Sequence, residues 1–140
     1  MSATEQKTVL AFQSTAFNTT TTREYFINPG CFGDDVVRWL ISELRANGHD
    51  VDEQPGQEDF GWYVRFDVRG IKHDAVIGYR IDSHNGADEW ICWIERTAGL
   101  VGTVLGKRKH VMPEAVEVVH RILSASQEVL GVRLCSEKEL

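Results

Sequence analysis

Apolar positions along this chain change period several times, and each change marks an element. Residues 60–69 alternate. Trp62, Val64, Phe66 and Val68 fall on one side, and Tyr63, Arg65, Asp67 and Arg69 on the other. A period of two predicts a half-buried strand. Arg69-Gly70 fits a tight reversal, and His73 to Ile81 reads as the return strand, with Ala75, Ile77, Tyr79 and Ile81 on one face. Asp82 to Gly86 is a turn cluster. Glu89 to Arg96 places Trp90, Cys92 and Ile94 on one side and Ile91 and Trp93 on the other. Apolar residues on both sides predict a central strand.

Two stretches carry helical spacing instead. Val36, Val37, Leu40, Ile41 and Leu44 share a stripe, which predicts a helix from Asp34 to Asn47. Gly33 or Asp34 caps it, and Asp34 and Asp35 suit the positive end of its dipole. A second helix starts near Pro113, with Val116, Val119, Leu123 and Leu130 as its stripe and Gly131 as its end. Val132 to Cys135 then reads as an edge strand. Arg23 to Ile27 and His49 to Val51 read as short strands, and residues 54–59 as a loop. The Thr- and Ser-rich residues 1–22 read as a mobile arm with a short strand at Thr8 to Phe12, leaving 23–140 as a single domain. Strand, helix, several strands and helix in that order predict an α+β fold. The expected form is a two-layer sandwich, an antiparallel sheet of four to six strands with two helices on one face.

Composition narrows the partners. At 140 residues the chain can bury one sizeable core without staples. Lys plus Arg number 15 and Asp plus Glu 21, a net charge of −6. That balance weighs against nucleic acid and anionic membrane surfaces. No apolar run is long enough to span a bilayer. Cys31, Cys92 and Cys135 are odd in number and form no CxxC pair, which fits a reduced, cytoplasmic protein.

Candidate chemistry is sparse. Gly99-x-x-Gly102-x-x-x-Gly106-Lys107 lacks the spacing of a phosphate loop and its hydroxyl residue after Lys. Lys107 to His110 reads as a solvated basic loop. His73, Asp74, Asp82, His84 and Asp88 crowd one hairpin without a metal-ligand spacing, so no metal or cofactor is expected. Cys31 follows a Pro-Gly turn and precedes a helix, whose N-terminus lowers a thiol pKa. It is the best candidate nucleophile. Gln57 to Trp62 is the most distinctive segment, with Glu58 and Asp59 before Gly61 and beside two aromatics. Adjacent carboxylates on a strand point opposite ways, so a joint acid–base role is not implied.

The Glu-Asp-aromatic-Gly-Trp run at 58–62, the alternating strand after it, and Trp90-x-x-Trp93 ending at Glu95 resemble a family of small uncharacterised bacterial proteins. The resemblance spans about residues 30–135. It implies a bacterial source and carries no activity.

If both helices cover one sheet face, the other presents Tyr63, Arg65, Asp67, Val76, Arg80, Ile91, Trp93 and Glu95. Trp, Tyr and Arg are hot-spot types, although cross-strand pairs that stabilise the sheet use the same residues. The expectation is an interaction module rather than an enzyme, inhibitor-like or homodimeric. Its partner is another protein or a second copy, bound through Glu58, Asp59, Tyr63, Arg65, Arg80, Trp93 and Glu95. The alternative is a small enzyme or ligand-binding domain with its site near Cys31 or Glu58.

Overall fold

The alternating segments pair into one six-stranded sheet, and the helical stripes pack on one of its faces. The computed structural model describes residues 6–27, 30–58, 61–81, 88–97 and 110–139. In chain order the elements are β1 (Val9–Gln13), α1 (Asp34–Ala46), β2 (Gly56–Glu58), β3 (Gly61–Val68), β4 (Ile71–Arg80), β5 (Glu89–Arg96), α2 (Pro113–Ala125) and β6 (Leu130–Cys135). The strand order is β2-β3-β4-β5-β1-β6, and every neighbouring pair is antiparallel. This is the α+β sandwich the patterning predicts.

The inner face carries the main core. Leu10 and Phe12, Trp62 to Val68 at alternate positions, Ala75 and Ile77, and Trp90, Cys92 and Ile94 meet the buried stripes of both helices. On α1 the buried stripe is Val36, Val37, Leu40, Ile41 and Leu44, as the spacing predicts. On α2 it is Ala115, Val116, Val118, Val119, Ile122 and Leu123. That helix stops at Ala125, not at Gly131. Leu130 therefore leaves the expected stripe and starts β6, where it is exposed. Ser126 and its extended backbone end the helix before the periodicity does.

The short strand expected at Thr8 to Phe12 forms as β1, within the sheet and not on a mobile arm. Val9, Leu10, Ala11 and Phe12 are fully buried, and β1 lies between β5 and β6. A four-residue run apolar on both faces suits an interior strand. The Thr-rich part is also tied down. Phe17 packs edge-on against Trp90, and Asn18 donates its N–H to Asp35 Oδ2 at 2.7 Å. Three shorter expectations also change. Residues 23–27 form a turn instead of a strand. Val51 makes a single bridge to Phe66, and Gly56–Glu58 pairs with β3 instead of forming a loop.

His73 sits on the inner face of β4 with no exposed surface. Its Nδ1–H donates to the Ile71 carbonyl at 3.1 Å, and its Nε2 accepts the Met112 N–H at 3.2 Å. Met112 is the N-cap of α2, so a neutral imidazole clasps the helix start to the sheet. The Gln6 side chain holds the adjacent Val111 carbonyl at 2.6 Å. Burial pushes the His73 pKa below its usual value. The unfolded chain then binds one more proton than the folded one below about pH 6.5. Stability is expected to fall as pH drops through that value, approaching ~1.4 kcal/mol per pH unit until the folded-state pKa is passed. Urea unfolding at pH 7.5, 6.5 and 5.5 on the wild type and His73→Phe isolates this component. Equal pH slopes in the two proteins would refute it.

Candidate ligand-binding site

The opposite face of the sheet was expected to lie open, and through its middle it does not. Register places Tyr63, Val76, Trp93, Val9 and Cys135 along one rung across five strands. Val9, Ala11, Ile91 and Cys135 form a second buried apolar cluster with Trp93 at its margin. One accessible part of the face lies at the end where β4 runs past the start of β3.

A pocket of about 270 Å³ lies there. Gly78 and Ile91 contribute to it from β4 and β5, Arg80 and Trp93 from the same two strands, and Cys31 and Phe32 from the segment before α1. The last segment is held by the distinctive run at 57–62. The Trp62 indole N–H donates to the Cys31 carbonyl at 2.8 Å. The Gln57 amide donates to the Tyr25 carbonyl at 3.0 Å and accepts the Ile27 N–H. Tyr25, Phe26, Phe32 and Trp62 stack edge-to-face around this anchor. Gln57 and Trp62 are thus chiefly a clamp that fastens Tyr25, Ile27 and Cys31 to the sheet edge.

One ion triad borders the pocket. Glu89 is buried and accepts from Arg80 and, at 2.9 and 3.2 Å, from Arg133. Arg133 reaches it from β6 across β1, over the short side chain of its register partner Ala11. Burial alone would raise the Glu89 carboxyl, but the two guanidinium groups outweigh it and hold the pKa below the usual carboxylate range. Two cations and one anion leave a formal charge of +1. The Arg80 Nε–H is buried and has no acceptor among the described residues.

The residues expected to bind a partner divide. Arg80 and Trp93 line the pocket, beside the candidate nucleophile Cys31. Glu58 is exposed on β2, paired with Gly61, and Asp59 lies outside the described residues. Arg65 is taken up by a cross-strand ion pair with Asp74 at 2.9 Å, which also raises its pKa. Tyr63 lies over Gly56, where an added Cβ would meet its ring at 2.2 Å. Glu95 is exposed on β5, opposite Asp74. Arg65 and Tyr63 fit sheet stabilisation by cross-strand pairing, whereas Glu95 faces a like-charged carboxylate across the ladder. Gly78, Glu89 and Arg133 were missed. A glycine inside a strand pattern is a known mark of close approach by a ligand or a backbone, so Gly78 carried a readable signal. Glu89 and Arg133 carried none, because their meeting depends on β1 lying between them.

Thiol chemistry is disfavoured. All three cysteines are free. Burial pushes Cys31 and Cys135 above the ordinary thiol value and Cys92 up to about 12. Burial therefore keeps the Cys31 thiol protonated near neutral pH. Among the described residues no His, Cys, Asp and Glu group has metal-site geometry, and no helix is long and apolar enough to cross a membrane. Asp82 and His84 lie outside the described residues.

A scan against protein-family models finds no match, nor do searches of curated proteins and of solved structures.

Proposed function

We propose that the chain is a small ligand-binding domain with its site in the pocket between Cys31 and Trp93. The observation that carries this reading is convergence. Three segments far apart in sequence supply one concave surface with an aromatic wall, an aliphatic floor and a guanidinium. Pockets of this make-up are the usual sites for small molecules. The protonated thiol of Cys31 favours binding over nucleophilic catalysis, and the free cysteines suit a reducing, cytoplasmic setting.

The test is a screen of single-ring fragments at millimolar concentration against the labelled protein. Hits are expected to move the amide signals of Gly78 and Ile91 and the indole signal of Trp93. Gly78→Val fills the pocket with a side chain that a strand accepts, and is expected to abolish those shifts while the rest of the spectrum holds. A screen with no pocket shifts would overturn the reading.

Interaction with a second protein chain, inhibitor-like or as a homodimer, is the second reading. Ile81 favours it, being 69% exposed directly beside Arg80, and Trp and Arg are hot-spot types. Sedimentation of wild type against Ile81→Glu separates the homodimer: a concentration-dependent dimer lost in the variant supports it, and a monomer in both removes it.

A further inference from the structure

We infer that a second ligand site lies between the C-terminal halves of the two helices and takes a free α-amino acid with an apolar side chain. It shares no residue with the pocket between Cys31 and Trp93. A cleft of about 290 Å³ opens there, lined on α1 by Trp39, Glu43 and Asn47 and on α2 by Arg121, Ile122 and Ser126. The α1 residues recur at every fourth position, so they form one row along that helix. Asn47 and Ser126 are the C-caps of the two helices, so both helices end beside the cleft. Glu43 stands four residues before one cap and Arg121 five before the other, which sets the two charges at about the same height on facing helices. Among the described residues they are the charged groups that line the cleft. No ion pair joins either of them to the other, to Glu117 one turn earlier on α2, or to another described residue.

The hydrogen-bonding groups of the cleft sort by helix. On α1 they are acceptors: the Glu43 carboxylate, and Asn47 Oδ1, since the Asn47 amide nitrogen donates to the Glu43 carbonyl at 2.8 Å. On α2 they are donors: the Arg121 guanidinium, and the Ser126 hydroxyl, whose oxygen already accepts the Glu128 N–H at 3.2 Å and so has its hydrogen to give. An ammonium meets the first set and a carboxylate the second, each through charge-assisted hydrogen bonds. The carbonyl ends of both helices add to the pull on the ammonium. A ligand with one charge satisfies one helix alone. An α-amino acid carries both charges on a single carbon and leaves its side chain for the walls. Trp39 and Ile122 supply these. Trp39 is held against Phe17, with ring centroids 5.8 Å apart, so the indole is in place before a ligand arrives. An aromatic side chain gains there from offset or edge contacts. The volume has room for one amino acid and not for a peptide of several residues. No bond is made or broken.

The probes are phenylalanine, phenethylamine, which lacks the carboxylate, and hydrocinnamate, which lacks the ammonium. Each is titrated into the full chain and followed at the Trp39 indole and the Asn47 and Ser126 amides. Phenylalanine is expected to bind at least about tenfold more tightly than either analogue, a difference of ~1.4 kcal/mol. Arg121→Gln is expected to bring phenylalanine down to the affinity of phenethylamine and to leave phenethylamine itself unchanged. Glu43→Gln is expected to bring phenylalanine down to the affinity of hydrocinnamate. Both side chains reach solvent, and Gln is a good helix former, so an unaltered thermal midpoint is the folding control. If phenylalanine binds no better than either analogue, or keeps its advantage in both variants, the zwitterion assignment is overturned. If none of the three moves the Trp39, Asn47 and Ser126 signals, the site itself is overturned. Shifts confined to Gly78, Ile91 and Trp93 would overturn it too, while supporting the pocket proposed above.

Discussion

Gly61→Ala is expected to be among the most damaging single substitutions in the domain, lowering the unfolding free energy by about 4 kcal/mol. A Cβ at this position would stand 2.2 Å from the Ile77 carbonyl oxygen, and the backbone has φ +155°. Both features work against any side chain, however small. The oxygen belongs to a paired strand, so it cannot give way without breaking the β3–β4 ladder. Strain of this backbone kind costs ~1–3 kcal/mol and overpacking a further ~1–3. The expected fall in melting temperature is roughly 10 °C, since 1 kcal/mol moves a domain of this size by a few degrees. Denaturant unfolding of the variant measures it. A change under 1 kcal/mol would mean that the chain passes Ile77 less closely than described. The same glycine starts the strand from which Trp62 holds Cys31, so a shift here also loosens the pocket wall.

The second large effect is expected at Glu89. Its carboxylate is buried between Arg80 and Arg133, which retain about a third of their side-chain exposure. Glu89→Ala leaves two like charges facing each other with no anion between them. Breaking a buried pair on one side costs ~3–5 kcal/mol, and the partial exposure of both arginines places this case near the lower end, about 3 kcal/mol. Arg133→Ala alone should cost less, because Arg80 still satisfies the carboxylate. A double-mutant cycle over Glu89 and Arg133 is expected to show coupling of ~1–2 kcal/mol, and additivity would refute the contact. The linked pH effect has the opposite origin to that of His73. Glu89 is held below the usual carboxylate range when folded. Its contribution is therefore complete above about pH 4.3 and fades as pH falls through the lower folded value. Histidine loss in the mildly acid range and carboxylate loss below it are thus separable in one pH series.

Much of the fold could be read from the chain because its physics is local. Strand alternation from Trp62 to Val68 needs only the two-residue period, and the α1 stripe only the helical one. The failures share a cause. Arg23 to Ile27 has strand-forming residues, yet Gln57 takes its backbone groups one at a time and leaves it a turn. Leu130 continues the α2 period numerically, but the chain has already left the helix. Local pattern reports what a segment can do, and competition for hydrogen bonds decides what it does.

The site was legible only in pieces. Trp93, Arg80 and Cys31 each drew notice for their residue type, but nothing in their spacing joined them. Arg65 and Tyr63 drew the same notice, and in the fold Arg65 pairs with Asp74 and Tyr63 lies over Gly56. Residue type could not separate the two groups, since cross-strand partners are set by register.

The chain by itself determined the class of fold, the inner faces of both helices, the middle three strands and the net negative charge. Tertiary structure alone decided that the first strand enters between the fifth and the last. It also decided that Arg133 reaches Glu89 across that strand, that Trp62 holds Cys31 by its carbonyl, and that Gly78 and Cys31 line one pocket. The reason is range. Periodicity and capping act over a few residues and are written in order along the sequence. A pocket forms where distant segments exclude each other's side chains, and that is settled only when strand order and register are fixed.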